Sequence, residues 1–360
     1  MRAFSLHTDQ MKIKPTTFFK AISKEKEWNA TLEKIGDFDF YHTFGYHILS
    51  KKDDERPELL VYEDELMKIA IPLLIRQIPS SAYFDATSVY GYVGPICNGD
   101  IKNFDNSNFK NELVSYLNSN NIICVFSRLN PYIPHQSDIL RGIGSINELG
   151  NIVNIDLTKP LDNQKKEFSR TTKRYIKKLR ISCEVYVSKS PKDTEKFIDL
   201  YYGNMKRVNA DSSYFFERSY FYQLLEQKAF ETKVFLVKSK DSEEIISGAM
   251  MMYTNKKIVQ YHISGTSKKH LNISPIRLIL DEVRVRAYKQ GYHYFNLGGG
   301  LGSKEDSLFS FKSSFSKDFK RFSIWKFIAN EEIYSKMAEK QKERPIQNIN
   351  FFPIYRYETS

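Results

Sequence analysis

The sequence predicts an α+β fold in which one structural plan occurs twice. A hairpin pattern at residues 58–62 and 66–78, turning at Glu63 and Asp64, recurs at 233–238 and 244–253. Each hairpin leads into a helix followed by a strand, at 108–127 in the first half and 275–297 in the second. The chain has 360 residues, 41% of them apolar, enough to bury two cores. Residues 1–150 and 151–340 are expected to form the two domains. Residues 341–360 are expected to form a tail that docks back through Phe351, Phe352 and Pro353.

The elements follow from local patterns. Residues 24–35 read as a helix, and Thr43 is placed to cap a second, short one. Pro72 inside the 66–78 strand implies an edge position or a bulge. Residues 85–95 read as a turn-rich aromatic segment, 122–127 as a buried strand and 130–150 as irregular chain. Residues 162–180 read as one amphipathic helix with Phe168, Tyr175, Ile176 and Leu179 along its apolar stripe. It holds eight Lys or Arg against two acids, so six of the chain's eleven net positive charges. Two helices joined by Tyr214-Phe215-Phe216 are expected over 191–228.

The stretch 257–312 organises the second half. Alternation over 258–264 predicts a strand with Gln260, His262 and Ser264 on one face and Val259, Tyr261 and Ile263 on the other. A loop carrying Lys268, Lys269 and His270 follows. Ser274 stands where an N-cap belongs and Pro275 at the first helical position, with Gly291 as the stop. A strand then runs into Gly298-Gly299-Gly300-Leu301-Gly302, before a helix from Ser307. A strand over 319–329 and a helix over 330–340 complete this half. A strand, a basic loop and a helix start suit phosphate binding. They suit equally an ordinary crossover with solvated lysines.

The excess of 54 basic over 43 acidic residues favours polyanionic partners: nucleic acid, phosphorylated cofactors or anionic membrane surfaces. Cys97, Cys124 and Cys183 lack metal spacing, so no metal site is expected and a reducing compartment fits. The first fourteen residues lack an apolar signal-type core, and no run is long enough to span a membrane. The expectation is a cytoplasmic protein without integral membrane association.

No nucleophile elbow, metalloprotease motif, Walker loop or dinucleotide fingerprint is present. That leaves either no catalysis or direct transfer between two aligned substrates. His262 is a candidate general base, or a histidine that satisfies a neighbouring strand. Glu305 and Asp306 are placed to orient or deprotonate an amine, or to sit favourably at a helix N-terminus. Lys312, beside Phe309, Phe311 and Phe315, can stabilise developing negative charge, or extend to solvent.

Residues 296–312, from Asn296 through the glycines and Lys304-Glu305-Asp306 to Phe311-Lys312, resemble the signature of Fem-type acyltransferases of the GNAT superfamily. Residues 85–95, the helix bearing Arg170 and Arg174, residues 201–210 and residues 351–356 extend the resemblance. It implies two tandem GNAT-like domains, each a mixed twisted sheet flanked by helices. It also implies transfer of an acyl or aminoacyl group to an amine, with Lys312 near the reacting carbonyl. The sequence looks closer to the polysaccharide-associated members than to the peptidoglycan-bridge enzymes. The donor is then expected to be acyl-CoA rather than aminoacyl-tRNA, with no tightly bound cofactor. The acceptor is expected to be an amino sugar or nucleotide-sugar. Lys268, Lys269, Ser274, Arg170 and Arg174 are expected to hold donor phosphates, and Asp85, Tyr90, Tyr92, Asn296 and Gly299 to contact substrate. The reading from another class is a non-catalytic protein that binds RNA or an anionic membrane on a relic of this fold.

Overall fold

The computed structural model describes residues 17–341 and 351–357. The expectation about a signal-type core concerns residues 1–14, outside the described residues. The first strand, β1 (Phe18–Ile22), pairs antiparallel with β2 (Glu55–Glu63), with α1 (Glu25–Ile35) and α2 (Phe44–Ser50) between them. Trp28, Leu32 and Ile35 of α1 pack on Leu59 and Val61. Thr43 caps α2 as its sequence position suggests, its hydroxyl accepting from the Tyr46 N–H. Strand β3 (Met67–Gln77) pairs with β2 along its length. Its other side pairs with β4 (Phe84–Thr87) at 74–77 and with β5 (Ile96–Gly99) at 67–70. Pro72 falls between those two stretches, where one neighbour is missing.

Helix α3 (Ser107–Ser119) leads to β6 (Ile122–Arg128), which lies parallel to β4. The segment expected to be irregular instead holds α4 (Gln136–Ile139) and the start of a long strand, β7 (Ser145–Asp156). That strand is only partly covered, so its polar first half carries no clear alternation. The basic segment is two helices, α5 (Leu161–Lys166) and α6 (Arg170–Ser182). The break comes where Phe168 turns inward and the Ser169 hydroxyl accepts from the Thr172 N–H, starting a new helix.

Beyond β8 (Cys183–Val187) come α7 (Pro191–Arg207) and α8 (Arg218–Leu225), then β9 (Glu231–Ser239), β10 (Ile245–Thr254) and β11 (Ile258–Thr266). Helix α9 (Ile276–Lys289) crosses to β12 (Tyr294–Gly298), parallel to β11. The chain ends with α10 (Ser307–Lys312), β13 (Asp318–Ile328) and α11 (Glu331–Gln341). Of the expected tail, residues 351–357 are described, and they lie against the fold. Phe352 and Tyr355 pack on Tyr334 of α11, and Arg356 and Tyr355 reach Asp85.

The expected repeat is visible as topology: β4–α3–β6 and β11–α9–β12 are both parallel strand–helix–strand units. The halves do not face each other as separate sheets across a cleft. Among the described residues twelve strands form one path, β1-β2-β3-β4-β6-β13-β7-β12-β11-β10-β9-β8, with β5 beside β3. Strand β7 follows the first unit yet pairs with β12 of the second. Strand β13 follows the second yet pairs with β6 of the first, and the two pair with each other. Each half thus covers an edge of the other, which removes two open ladders from the middle of the molecule. Residue 150, the expected domain boundary, lies inside β7.

One face of the second half's sheet packs on α6, α9 and α10. The other packs on α7 and α8 and on Phe40, Tyr41, Tyr46, Val89 and Val93 of the first half. Among the described residues no helix is long and apolar enough to cross a membrane.

Candidate active site

The parallel strands β11 and β12 share only three rungs: Ile258 with Tyr294, Val259 with Phe295, and Gln260 with Asn296. Beyond these β11 stays with β10 as far as Thr266, and β12 stays with β7 as far as Gly298. The two strands therefore diverge, and the sheet opens between them. A bulge helps: the β10 register shifts between Met250, opposite Ile263, and Met251, opposite Tyr261, leaving His262 as the extra residue.

That bulge corrects the expected faces. Ser264 does not share a face with His262; its hydroxyl meets the Tyr261 hydroxyl. Tyr261 packs on the α9 side. His262 turns to the other side, with Nε2 3.3 Å from the Tyr220 hydroxyl and the Phe40 and Tyr46 rings around it. Burial pushes its pKa down to about 4, so the ring is neutral at physiological pH.

Lys312 stands at the opening. It is 8% exposed, its Nζ donates to the Gly299 carbonyl at 2.7 Å, and it lies 5.9 Å from the centre of the Tyr261 ring. Burial pushes its pKa down to about 8, with the Asp306 charge acting in the opposite direction. Gly298 has φ +77°, and a Cβ there would lie 3.0 Å from Nζ, so glycine is what lets the ammonium approach the turn. Asn296 braces the same turn by accepting from the Gly298 N–H at 2.7 Å.

The acids beside the glycines hold structure together. Asp306 caps α10, its two oxygens accepting from Phe309 N–H at 2.9 Å and Leu301 N–H at 3.1 Å. The Phe309 bond, with others from the backbone, holds its carboxyl below the usual range. Glu305 accepts from Asn151 across the turn. Asp306 is thus engaged through both oxygens and Glu305 through one.

The start of α9 also differs from expectation. Ser274 is in the left-handed region (φ 49°, ψ 57°) and makes no capping bond, because Lys268–Ile273 winds into a 3-10 turn that sets the entry into the helix. Pro275 has no N–H, while Arg277 and Leu278 donate within the turn to Ser274 and Pro275. Few backbone donors remain to face an anion. Positive side chains remain: Lys268, Lys269, Arg170 and Arg174 are all at least partly exposed. Arg277 ties the starts of α6 and α9 together by donating to Thr172 and Ser314. The basic first turn of α6 thus lies beside the start of α9.

The first-half candidates lie away from Lys312. Asp85 is fully buried, and its oxygens accept from Arg76, Tyr355 and Arg356. It anchors the tail, and its carboxylate has no oxygen left for a substrate. Tyr90 is exposed under the Arg128 guanidinium, and its carbonyl accepts from the Tyr46 hydroxyl. Tyr92 is edge-on to Phe322.

Sequence reading named Asn296 but missed that it stands in a row of buried amides with Gln260 and Asn154, on neighbouring strands and one face. The signal was present: each is a polar residue alternating with apolar ones inside a buried strand. Among the described residues no cluster of potential ligands suits a metal ion.

Residues 164–321 match the family described as acetyltransferase (GNAT) domain. The match lies within the second half and covers less than half of the chain. No curated protein matches the sequence. Among solved structures, FemX is similar at 14% identity and a TM-score of 0.64, covering 88% of this chain and 99% of that one. The L-PGS structure from Bacillus licheniformis is similar at 13% identity and a TM-score of 0.56, covering 87% of this chain and 95% of that one. The C-terminal domain of a putative lysylphosphatidylglycerol synthetase from Agrobacterium fabrum has 15% identity and a TM-score of 0.54, covering 86% and 94%. At such identities the likeness is one of fold, and the fold is two GNAT-like domains in tandem.

Proposed function

We propose that this protein is an acyltransferase of Fem type that moves an acyl group from acyl-CoA to an amine. The acceptor in this reading is an amino sugar or nucleotide-sugar used in cell-surface polysaccharide or cell-wall synthesis. The observation that carries it is Lys312: a buried ammonium where β11 and β12 diverge, inside the segment that matches the acetyltransferase family. A solvated relic would have no reason to keep a lysine at the cost of its desolvation.

The donor thioester enters between the diverging strands, its phosphates against Lys268, Lys269, Arg170 and Arg174. The amine nitrogen attacks the carbonyl carbon, a C–N bond forms, and the oxyanion is met by Lys312 and the glycine turn. The amine gives up a proton, collapse breaks the C–S bond, and the departing thiolate takes a proton from water, so that CoA leaves as the thiol. Neutral His262 lies on the opposite face from Lys312, where it can accept the amine's proton. In this reading the two halves are the two lobes, each lending the other a strand through β7 and β13, and residues 351–357 dock the tail.

The test is amine-dependent release of free thiol from a panel of acyl-CoAs with amino sugars and nucleotide-sugars. Lys312→Met is expected to lower kcat by about 100-fold, as for loss of one oxyanion donor. Absence of amine-dependent release with every pair, or unchanged turnover in Lys312→Met, overturns the reading. Steeply salt-sensitive binding of aminoacyl-tRNA, lost when Arg170, Lys173 and Arg174 are neutralised together, overturns the choice of CoA.

A further inference from the structure

Three side-chain amides cross the middle of the sheet on one face. Gln260, Asn296 and Asn154 are register partners on β11, β12 and β7. Their strand neighbours Val259, Phe295, Leu297, Val153 and Ile155 all belong to the opposite, α9-side core, which fixes the amides on the other face. All three are buried, Asn296 and Asn154 at 0% and Gln260 at 4% exposure.

Their hydrogen bonding falls away toward the opening. Asn154, farthest from it, donates to Asp318 at 2.6 Å and accepts from the Tyr132 hydroxyl at 3.3 Å. Asn296 uses its oxygen on Gly298, but its Nδ2 has no partner among the described residues. Gln260 makes one long bond through Nε2 to the Tyr261 carbonyl at 3.4 Å, and its Oε1 has no partner among the described residues. Buried amide groups left unpaired are costly, and native interiors avoid them unless something else fills the demand. Here the two orphans are complementary, one acceptor and one donor, and they stand on the last shared rung before the two strands diverge.

We propose that Gln260 and Asn296 form a subsite for a secondary amide of the substrate. An extended trans amide entering between the strands points its N–H one way and its C=O the other. Gln260 Oε1 on β11 accepts from the N–H, and Asn296 Nδ2 on β12 donates to the C=O. The inference rests on the acyl-transfer reading of this site and adds to it a demand on ligand chemistry. The amide has two candidate sources, the pantetheine arm of the donor or an N-acyl group on the acceptor.

Two probe pairs separate the sources, read by calorimetric titration of the full chain. CoA carries secondary amides that 3′,5′-ADP lacks, and UDP-N-acetylglucosamine carries one that UDP-glucose lacks. In the wild type the amide-bearing member of one pair is expected to bind at least about tenfold tighter than its counterpart. Gln260→Met, which keeps the volume and removes the acceptor, is expected to abolish that preference and leave the amide-free probe unchanged. Asn296→Asp, which keeps the oxygen on Gly298 and removes the donor, is expected to do the same, and it serves if Gln260→Met does not fold. Equal binding within both pairs, or a preference that survives in the folded variants, overturns the subsite. If amine-dependent thiol release persists in that case, the acyl-transfer reading stands and only the subsite falls. Failure of all four probes to bind the wild type, together with no thiol release, overturns both.

Discussion

Lys312 shows how far burial can bend one side chain. Its pKa falls from 10.5 to about 8 because the ammonium has left water, while Asp306 pulls the other way. Between those values the unfolded chain holds more protons than the folded one, so folding gains stability as pH rises from about 8 to 10.5. Below that window the buried charge is a net cost. Lys312→Met is therefore expected to raise the melting temperature at pH 7, with a gain that shrinks by pH 10. A lower melting temperature at pH 7 would contradict this. Turnover in the wild type should decline above about pH 8 as the ammonium is lost. Lys312→Arg, charged throughout, should lack that alkaline limb even if its rate is lower. A pH–rate profile measured on both proteins decides the matter. Lys312 and the glycines are legible in the sequence because the motif is contiguous. The anchoring role of Asp85 is not, because its partners Arg76 and Arg356 join it only through the fold.

At the scale of elements, two local features set the site, and sequence patterns anticipate neither. A single extra residue at His262 breaks the alternation, so that Ser264 turns to the Tyr261 side and Ile263 to the His262 side of the sheet. Alternation assumes an unbroken ladder, and a bulge is decided by the partner strand. Charge and apolar spacing predict a continuous basic helix, but the chain breaks at Ser169 so that Phe168 can enter the core. Ser169→Ala removes the cap of α6 and should cost about 1 kcal/mol of stability, measured by urea denaturation. The same change should weaken binding of phosphorylated ligands, because α6 presents Arg170 and Arg174 from its first turns. Unchanged stability would mean that packing of Ile176 and Leu179 alone sets this helix.

On the scale of the molecule, exchange of β7 and β13 makes the halves interdependent. Trp28 lies in one first-half core, and Trp325 on β13 lies in another that only the exchanged strand completes. Unfolding should therefore be a single transition, with tryptophan fluorescence and far-ultraviolet circular dichroism coinciding. Two separated transitions would show that each half is stable without the other's strand. The tail adds a second long-range tie. Asp85→Ala should free residues 351–357 and accelerate their proteolysis, while the Lys312 site keeps its geometry. Equal proteolysis of variant and wild type would show that Phe352 packing suffices.

The linear chain already specified the repeated plan, the helix followed by a strand in each half and the glycine turn leading to Lys312. Periodicity, turn residues and helix starts are short-range properties, readable within a dozen residues. Register, burial and the company a polar side chain keeps are set by segments far from one another in the chain. For that reason only the folded molecule reveals the exchanged strands, turns Asp85 into an anchor, and lines up Gln260, Asn296 and Asn154 beside the opening.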